Sequence, residues 1–220
     1  MPDLPRLLGH RGLRGPGAPP ENTVPAFDLA LSHGCDGFEF DVRLTADGRA
    51  VICHDPKHAG LEISRARLCD LGTICTLESV LARYSRAAFL DIELKVPGLT
   101  ESLVSEIKNH PPECGYVVSS FLPEVIQDMH QKAAGIALGM ICETKEQLEL
   151  WSKLPVQYVI STHSLMSLKL VQQVQEAGKK VFVWTVNRSA DMLRFRQQGV
   201  DGIISDNPAL LVKTLNGSID

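Results

Sequence analysis

Apolar and polar residues follow two alternating patterns along the chain. Short runs rich in β-branched and aromatic residues are each followed by a longer segment with apolar residues at helical spacing. This repetition is typical of βα units around a parallel sheet. The pattern predicts eight strands, at residues 6–10, 37–44, 89–94, 116–119, 136–141, 158–161, 180–185 and 202–205.

Helices are predicted in the intervals between these strands. Thr23 is a suitable N-cap for the first helix, Pro25 fits its first turn and Gly34 follows its end. Thr76 is the expected N-cap of the second helix. The later helices are predicted at residues 100–109, 123–133, 145–153, 165–177, 189–198 and 208–215.

Eight strands and eight helices in 220 residues predict an α/β fold, a (β/α)₈ or TIM barrel, that forms one domain over residues 1–220. A doubly wound open sheet is the alternative, although no Gly-x-Gly-x-x-Gly segment follows the first strand. We find no segment with the composition of a linker between domains.

One short strand interrupts the regular alternation after strand 2. It covers residues 50–53, follows the turn pair Asp47-Gly48 and ends at His54-Asp55. A hairpin-like return of this kind brings His54 close to the carboxyl end of strand 2. Active sites of barrels lie at that end of the strands.

Composition narrows the class of protein without indicating a function. Hydrophobic residues make up 44% and charged residues 22%, which is ordinary for a globular protein, and a net charge of −4 gives no reason to expect a nucleic-acid partner. An apolar strand begins at Arg6, and we expect neither a signal peptide nor a membrane span.

The cysteines indicate a reducing compartment. They show no paired spacing and several lie in apolar runs, so we expect buried, reduced thiols and a cytoplasmic protein. The six positions are Cys35, Cys53, Cys69, Cys75, Cys114 and Cys142.

Two strands carry carboxylates on one face. Because side chains alternate along a strand, Glu39 and Asp41 point to the same side, opposite Phe38, Phe40 and Val42. The aromatic face suits packing under helices, so the carboxylates are expected to point into the barrel. Strand 3 repeats the pattern, with residues 91, 93 and 95 on one face.

Converging carboxylates in a barrel need a counter-charge, because unpaired buried charges are costly. Oxygen ligands without a cysteine cluster favour Mg²⁺ or Ca²⁺ over zinc, and Glu39, Asp41 and Glu93 are the candidate ligands. The alternative is a structural salt-bridge network in which Lys95 or Arg43 supplies the positive charge.

Two histidines end strands near the expected site. His10 ends strand 1 immediately before Arg11, and His54 ends the inserted strand. Each has an alternative role as a hydrogen-bonded structural residue. Together with the acids and Arg11, they provide a base, an acid and a phosphate clamp for phosphoryl transfer.

Seven short motifs occur in a recognisable order along nearly the whole chain. The sequence resembles the glycerophosphodiester phosphodiesterase family in the segments His10-Arg11-Gly12, Glu21-Asn22-Thr23, Glu39-Phe40-Asp41-Val42, His54-Asp55, Glu93-Leu94-Lys95, Trp184-Thr185-Val186-Asn187 and residues 200–206.

The resemblance implies a role for each matching residue. Glu39, Asp41 and Glu93 would be metal ligands, and His10 and His54 the catalytic acid/base pair. The resemblance assigns phosphate or substrate contacts to three further residues, Arg11, Lys95 and Trp184. For Trp184, packing at the top of the barrel is the alternative. The other five histidines match no motif and are expected to be surface or structural residues.

Two loops depart from the family pattern. The loop from Gly12 to Pro20 is longer than the usual link, and its glycines and prolines can reshape the phosphate side of the site. The stretch from Pro56 to Ile74 is shorter than the insertion that usually covers the pocket. This shortening leaves the preferred leaving alcohol open.

The implied reaction is hydrolysis of a small glycerophosphodiester to sn-glycerol 3-phosphate and an alcohol such as choline, ethanolamine or glycerol, through a cyclic phosphate intermediate. Stable membrane association is not expected. A lysophospholipase D is the second possibility, and it requires an apolar groove to which Leu61, Ile63 and Leu68 can contribute. A non-catalytic ligand-binding barrel is the third. Oligomeric state and the choice of metal stay open.

Overall fold

The computed structural model describes residues 4–217 of the chain. Its strands, in chain order, are β1 (Arg6–His10), β2 (Gly37–Leu44), β3 (Ala50–Ile52), β4 (Lys57–His58), β5 (Leu61–Glu62), β6 (Phe89–Leu94), β7 (Tyr116–Ser120), β8 (Leu138–Cys142), β9 (Tyr158–Thr162), β10 (Lys180–Trp184) and β11 (Gly202–Ser205). Its helices are α1 (Val24–Ser32), α2 (Leu77–Tyr84), α3 (Thr100–Asn109), α4 (Pro123–Lys132), α5 (Lys145–Leu148), α6 (Leu168–Glu176), α7 (Ser189–Gln197) and α8 (Pro208–Asn216).

Eight of these strands close into a parallel ring. Their order is β1-β11-β10-β9-β8-β7-β6-β2, and pairing of β1 with β2 closes the ring. A helix follows each ring strand. The predicted (β/α)₈ barrel is therefore confirmed, and the doubly wound open sheet is excluded.

The inserted strand after strand 2 is also confirmed. β3 pairs antiparallel with the outer part of β2, with Val42 opposite Ile52, and it lies outside the ring. Two features of the insertion were not predicted: a hairpin formed by β4 and β5, and two 3₁₀ turns at residues 63–65 and 68–70. Runs of two or three residues are too short to show a period.

The predicted strands at 6–10, 37–44, 89–94 and 202–205 have the observed bounds, and the other strand ends shift by one or two residues. The fifth helix is shorter than predicted and ends at Leu148 instead of Lys153. Beyond it, Leu150 and Lys153 donate to carbonyls three residues earlier, so the chain tightens into turns. Helix α6 begins at Leu168, because Ser167 caps it and accepts a hydrogen bond from Leu170 N.

The caps predicted for the first two helices differ in outcome. Thr76 caps α2, where its hydroxyl accepts from Ser79 N at 3.1 Å. Thr23 occupies the N-cap of α1, but its hydroxyl donates to Pro20 O and makes no cap bond. Gly34 follows the end of α1 with φ +94°, a left-handed conformation that glycine adopts without strain.

The two faces of β2 differ as predicted. Phe38 and Phe40 are fully buried under the helices, and the Phe38 ring stacks on Phe27 of α1 at 4.2 Å. Glu39 and Asp41 point into the barrel. Below them the interior is filled by a cluster of apolar residues: Leu8, Phe89, Val117, Ile141, Tyr158, Ile160, Phe182 and Ile204. Glu39 and Asp41 thus lie on the side of this apolar layer toward the carboxyl ends of the strands.

The cysteine prediction is correct for the thiols and partly wrong for their burial. All six cysteines are free. Cys35 and Cys142 are buried, but Cys69 and Cys114 are exposed, because they lie in the 3₁₀ turn after the hairpin and in the loop before β7. Within residues 4–217, no helix is long and apolar enough to cross a bilayer. The cytoplasmic location stays a prediction.

The packing of Phe38 gives a stability prediction. Phe38→Ala is expected to lower the free energy of unfolding by about 3–5 kcal/mol, since it removes a fully buried ring. Denaturant unfolding followed by circular dichroism measures the change. Leu29→Ala is the control on α1: its side chain is exposed, and the expected change is within about 0.5 kcal/mol. Equal effects of the two substitutions would contradict the assigned core.

Candidate active site

Three carboxylates meet at the carboxyl ends of β2 and β6. We call Glu39, Asp41 and Glu93 the carboxylate cluster, since one oxygen from each lies within 4.8 Å of the others. The register of the two strands, with Asp41 opposite Glu93, produces this convergence. The three residues are 4%, 0% and 6% exposed. Their charges are therefore largely withdrawn from water.

Two cations contact the cluster. Arg11 Nε lies 3.1 Å from Asp41 Oδ2, and Arg11 N donates to Glu39 Oε2 at 3.0 Å. Lys95 Nζ lies 2.6 Å from Glu93 Oε1 and 3.4 Å from Asp41 Oδ1. Lys95 therefore forms the salt bridges that were predicted as the alternative source of positive charge. Two cations facing three carboxylates nevertheless leave an excess of negative charge.

The other suggested cation, Arg43, does not join the cluster. Its Nε and Nη2 donate to the carbonyl of His54 at 2.8 and 2.6 Å. Arg43 therefore holds the inserted strand and does not offset the carboxylates.

The pKa values of the three carboxyl groups reflect their burial and the excess negative charge. Burial, reinforced by the charges of Asp41 and Glu93, raises the pKa of Glu39 well above its ordinary value. Burial and the charge of Asp41 raise the pKa of Glu93 to about 7. Burial opposes ionisation of Asp41 too, but Arg11, Lys95 and an amide donor outweigh it and lower the pKa of Asp41.

The donor set of the cluster fits a hard divalent cation. Glu39 Oε1 is fully buried and has no hydrogen-bond partner among the residues that the structure describes. Carboxylate oxygens are the ligands that Mg²⁺ and Ca²⁺ prefer. A cation bound there would offset the charge that raises the pKa values of Glu39 and Glu93.

His10 ends β1 and is held from one side by Asp206. His10 Nδ1 lies 2.7 Å from Asp206 Oδ1, and Asn187 Nδ2 donates to the other oxygen of Asp206 at 2.7 Å. Although burial alone would raise the pKa of Asp206, the hydrogen bond and charge of His10 lower it to about 2. An ionised Asp206 only accepts, so Nδ1 of His10 carries the proton.

The second ring nitrogen of His10 faces the carboxylate cluster, with Nε2 lying 3.8 Å from Glu39 Oε2. Burial lowers the pKa of His10 despite the opposing hydrogen bond and charge of Asp206. The lowered pKa favours the neutral ring, in which Nε2 carries a lone pair.

His54 reaches the site on the insertion. Cys53 N donates to the carbonyl of Asp41 at 2.9 Å, which ties the end of β3 to β2. His54 Nδ1 lies 2.8 Å from Asp55 Oδ1. The His54 side chain is 37% exposed, compared with 10% for His10. Both histidines border the site, but His54 is much more accessible to solvent than His10.

The long Gly12–Pro20 loop contributes one charged residue, Arg14, and Glu21 follows the loop beside Arg11. Glu21 accepts from Arg11 Nη1 at 2.7 Å and from Arg14 Nε at 2.5 Å, and Arg14 also contacts Asp206. A glycine is required where the loop begins, since a Cβ on Gly12 would lie 2.6 Å from the backbone of Ala26. Arg14 and Glu21 thus belong to an ion-pair network around Arg11, and the reshaping of this side relative to the family stays a prediction.

These groups surround one cavity of about 360 Å³, which we call the site cavity. One side carries His10, Arg11, His54, Glu39, Glu93 and Lys95. The other side, which we call the apolar wall, consists of Phe121, Ile141, Ile160, Trp184 and Ile204. Trp184 lies in this wall, as its strand parity predicts, and its Nε1 donates to Ile160 O at 3.2 Å.

All eight predicted site residues adjoin this region: seven line the cavity, and Asp41 lies buried beneath it within the cluster. Sequence reasoning assigned no role to Asp206, Asn22, Phe121 or Glu143. Asp206 and Asn22 belong to matched motifs. Phe121 and Glu143 each follow a ring strand directly, and that position is the signal that points to them.

Asn22 and Asp91 complete the surroundings of the cluster. Asn22 Nδ2 donates to Asp41 Oδ2 at 2.8 Å. Asp91 is fully buried on the inner face of β6, and burial raises its pKa to about 7 even though the Ser119 hydroxyl donates to it at 2.6 Å. Asp91 therefore adds to the negative potential below the cluster.

An eight-stranded parallel barrel with a polar cavity at the carboxyl ends of its strands defines the class of (β/α)₈ barrels with an active site at the top. Within that class, the model of the glycerophosphoryl diester phosphodiesterase family matches residues 10–71 and 65–210. The chain belongs to the glycerophosphoryl diester phosphodiesterase family.

Relatives and solved structures agree with this assignment. A glycerophosphodiester phosphodiesterase of Caldanaerobacter subterraneus subsp. tengcongensis is 30% identical, covering 88% of this chain and 91% of the relative. An Oleispira antarctica phosphodiesterase, solved in complex with the product sn-glycerol-3-phosphate, is 26% identical with a TM-score of 0.85, covering 97% of this chain and 98% of that chain. A Thermotoga maritima glycerophosphodiester phosphodiesterase is 26% identical with a TM-score of 0.81, covering 95% and 97%.

The predicted resemblance is thus confirmed, and so is the prediction that the chain is an enzyme of this family. A non-catalytic barrel is not supported. The roles of the individual residues stay predictions.

Proposed function

We propose that this chain hydrolyses glycerophosphodiesters to sn-glycerol 3-phosphate and an alcohol. The observation that carries the proposal is the convergence of the carboxylate cluster with His10 and His54 around the site cavity. Such a set supplies acid, base and metal ligands for phosphodiester cleavage. Family membership and the product bound in the Oleispira antarctica phosphodiesterase support the same substrate class.

The carboxylate cluster is proposed to hold a divalent cation, Mg²⁺ or Ca²⁺. The raised pKa values of Glu39 and Glu93 support this role, because their negative charges are incompletely compensated by the protein. When bound, such a cation supplies charge stabilisation at phosphate oxygens.

Arg11 and Lys95 are proposed to bind phosphate oxygens. Both line the site cavity next to the cluster. Lys95 has three ammonium donors, and its contacts with Glu93 and Asp41 leave one available. Arg11 carries five N–H donors in its side chain, so the contacts with Glu21 and Asp41 do not exhaust it.

His10 is proposed as the base of the first step. Its Nδ1–H is held by Asp206, and the neutral ring presents a lone pair on Nε2 toward the cluster. His54 is proposed as the acid that protonates the leaving oxygen, and Asp55 orients its ring through Nδ1. The two roles exchange in the second step.

The nucleophile is proposed to be the 2-hydroxyl of the substrate's glycerol, which gives a cyclic glycerol phosphate. This hydroxyl is already close to phosphorus, and well-oriented intramolecular attack can gain about 7–11 kcal/mol over a free reactant. His10 then takes the proton from the hydroxyl and His54 gives one to the leaving alcohol. Water subsequently opens the ring with the roles reversed.

A lysophospholipase D is the second candidate function. The three residues expected to form its groove do not line the site cavity. Ile63 and Leu68 pack with Val51 in a small apolar cluster, and Leu61 is exposed in β5. A separate groove of about 800 Å³ between the α1 and β3 regions reaches His54, and its lining mixes apolar residues such as Val24 and Ile52 with polar ones such as Lys57. A higher kcat/KM for lysophosphatidylcholine than for glycerophosphocholine would favour this candidate.

The metal proposal predicts that exhaustive chelation abolishes hydrolysis of a panel of glycerophosphodiesters and that Mg²⁺ or Ca²⁺ restores it. Glu93→Gln should weaken ion binding in titration calorimetry, because it removes one anionic ligand. Glu113→Gln is the control, since Glu113 forms an exposed pair with Arg86 outside the cavity. Full turnover of the chelated protein would refute the metal, and unchanged ion binding by Glu93→Gln would refute that ligand.

The histidine proposal predicts that His10→Ala and His54→Ala each lower kcat by about 10²- to 10⁴-fold, the usual effect of removing a general acid or base. The two losses should be strongly non-additive in the double variant, because the residues act in one proton-transfer unit. His130→Ala, an exposed control, should keep normal turnover. Steady-state assays decide the matter, and a variant with near wild-type kcat would show that its histidine is structural.

The cyclic route predicts that a substrate analogue lacking the 2-hydroxyl binds but is not turned over. Competition with glycerophosphocholine measures its binding, and product release measures its hydrolysis. Turnover at a rate comparable to the parent compound would show that water attacks directly.

A further inference from the structure

One acidic residue of the site cavity has no role in the proposed chemistry. Glu143 follows β8 directly and lines the cavity. In the ring, β8 lies four strands from β1 in either direction, so Glu143 stands across the barrel from His10. β7 separates β8 from β6, and β7 and β6 separate it from β2, so Glu143 is not adjacent to the strands that carry the carboxylate cluster.

A carboxylate at this position is unfavourable for an anionic substrate alone. The cavity must accept a phosphate, and Glu143 adds a negative charge opposite the residues proposed to bind it. Among residues 4–217, the Glu143 side chain forms no salt bridge. Its charge is therefore available to a positively charged group that enters the cavity.

The backbone around Glu143 is well anchored. Gln147 Oε1 accepts hydrogen bonds from Glu143 N at 2.9 Å and from Thr144 N at 3.1 Å, and Thr144 caps α5. Glu143 thus begins from a defined position at the mouth of the barrel, with an exposed side chain that can turn toward a ligand.

Two aromatic rings share the cavity with Glu143. Phe121 and Trp184 meet edge to face, with ring centroids 5.6 Å apart and planes at 83°. Aromatic faces combined with a carboxylate are the chemistry that recognises ammonium groups, above all quaternary ones. Binding of a neutral polyol or of a phosphate does not require an aromatic face together with a carboxylate.

We propose that Glu143, Phe121 and Trp184 form a subsite for a positively charged leaving alcohol, so that the preferred substrates are glycerophosphodiesters of choline or ethanolamine type. This inference rests on the proposed hydrolysis of glycerophosphodiesters. The phosphate of such a zwitterion faces Arg11 and Lys95, and its ammonium group faces Glu143. Glu143 and Trp184 lie at the ammonium end, and Phe121 lies between that end and Lys95, whose Nζ is 5.4 Å from the centroid of the Phe121 ring.

The test compares kcat/KM for three substrates in the wild type and in Glu143→Gln. Glycerophosphocholine and glycerophosphoethanolamine carry a cation, whereas glycerophosphoglycerol shares the glycerol phosphate and carries none. Loss of the charge should reduce kcat/KM about five- to tenfold for the two cationic substrates and less than about twofold for the neutral one. Glu149→Gln, an exposed site outside the cavity lining, is the matched control and should leave all three values unchanged.

Two results would overturn the subsite. Equal losses on all three substrates would mean that Glu143 contacts the shared glycerol phosphate, and no loss on any would mean that it contacts no substrate. If the wild type hydrolyses none of the three, the proposed function fails instead. Calorimetric titration of glycerophosphocholine then still decides: weaker binding by Glu143→Gln supports the subsite, and equal or absent binding refutes it.

Discussion

The burial of three carboxylates at the ends of two adjacent strands is the constraint around which the site is arranged. Glu39, Asp41 and Glu93 repel one another and are removed from water, so their charges must be offset locally. Arg11 and Lys95 offset part of the charge from two sides. Burial, together with the charge that is not offset, raises the pKa values of Glu39 and Glu93, and the three carboxylates could hold a cation. Buried like charges lower the stability of the protein when no ligand is bound, and the same charges suit the site to a positively charged ligand.

The barrel interior has an apolar lower part and a polar upper part. This separation strengthens the interactions between the charged groups. Apolar side chains such as Leu8, Phe89 and Phe182 fill the lower interior, so water reaches the carboxylates from the mouth side. In such surroundings each charge and hydrogen bond acts more strongly than at the surface. The Asp206–His10 pair benefits in the same way: one ionised oxygen determines which ring nitrogen carries the proton.

Strand parity was sufficient to predict which side chains enter the barrel, because the aromatic residues of β2 and the carboxylates of β2 and β6 alternate without a break. Contacts between distant segments carry no such local signal. His10 and Asp206 are 196 positions apart, and only closure of the ring joins β1 to β11. The early end of α5 escaped the pattern for a different reason: residues 149–153 have helical composition, but turn bonds replace the helical ones.

The way in which His54 is held has a consequence for how enzymes of this design can diversify. Its backbone is fastened to the barrel by Arg43 and by the bond from Cys53 N to the carbonyl of Asp41, and both contacts lie before the β4–β5 hairpin begins. Residues 57–74 can therefore change in length or sequence while the position of the His54 backbone is retained. This segment is in that sense an exchangeable module: none of its residues lines the site cavity, so evolution or engineering can vary it, and with it the groove beside His54, without rebuilding the site.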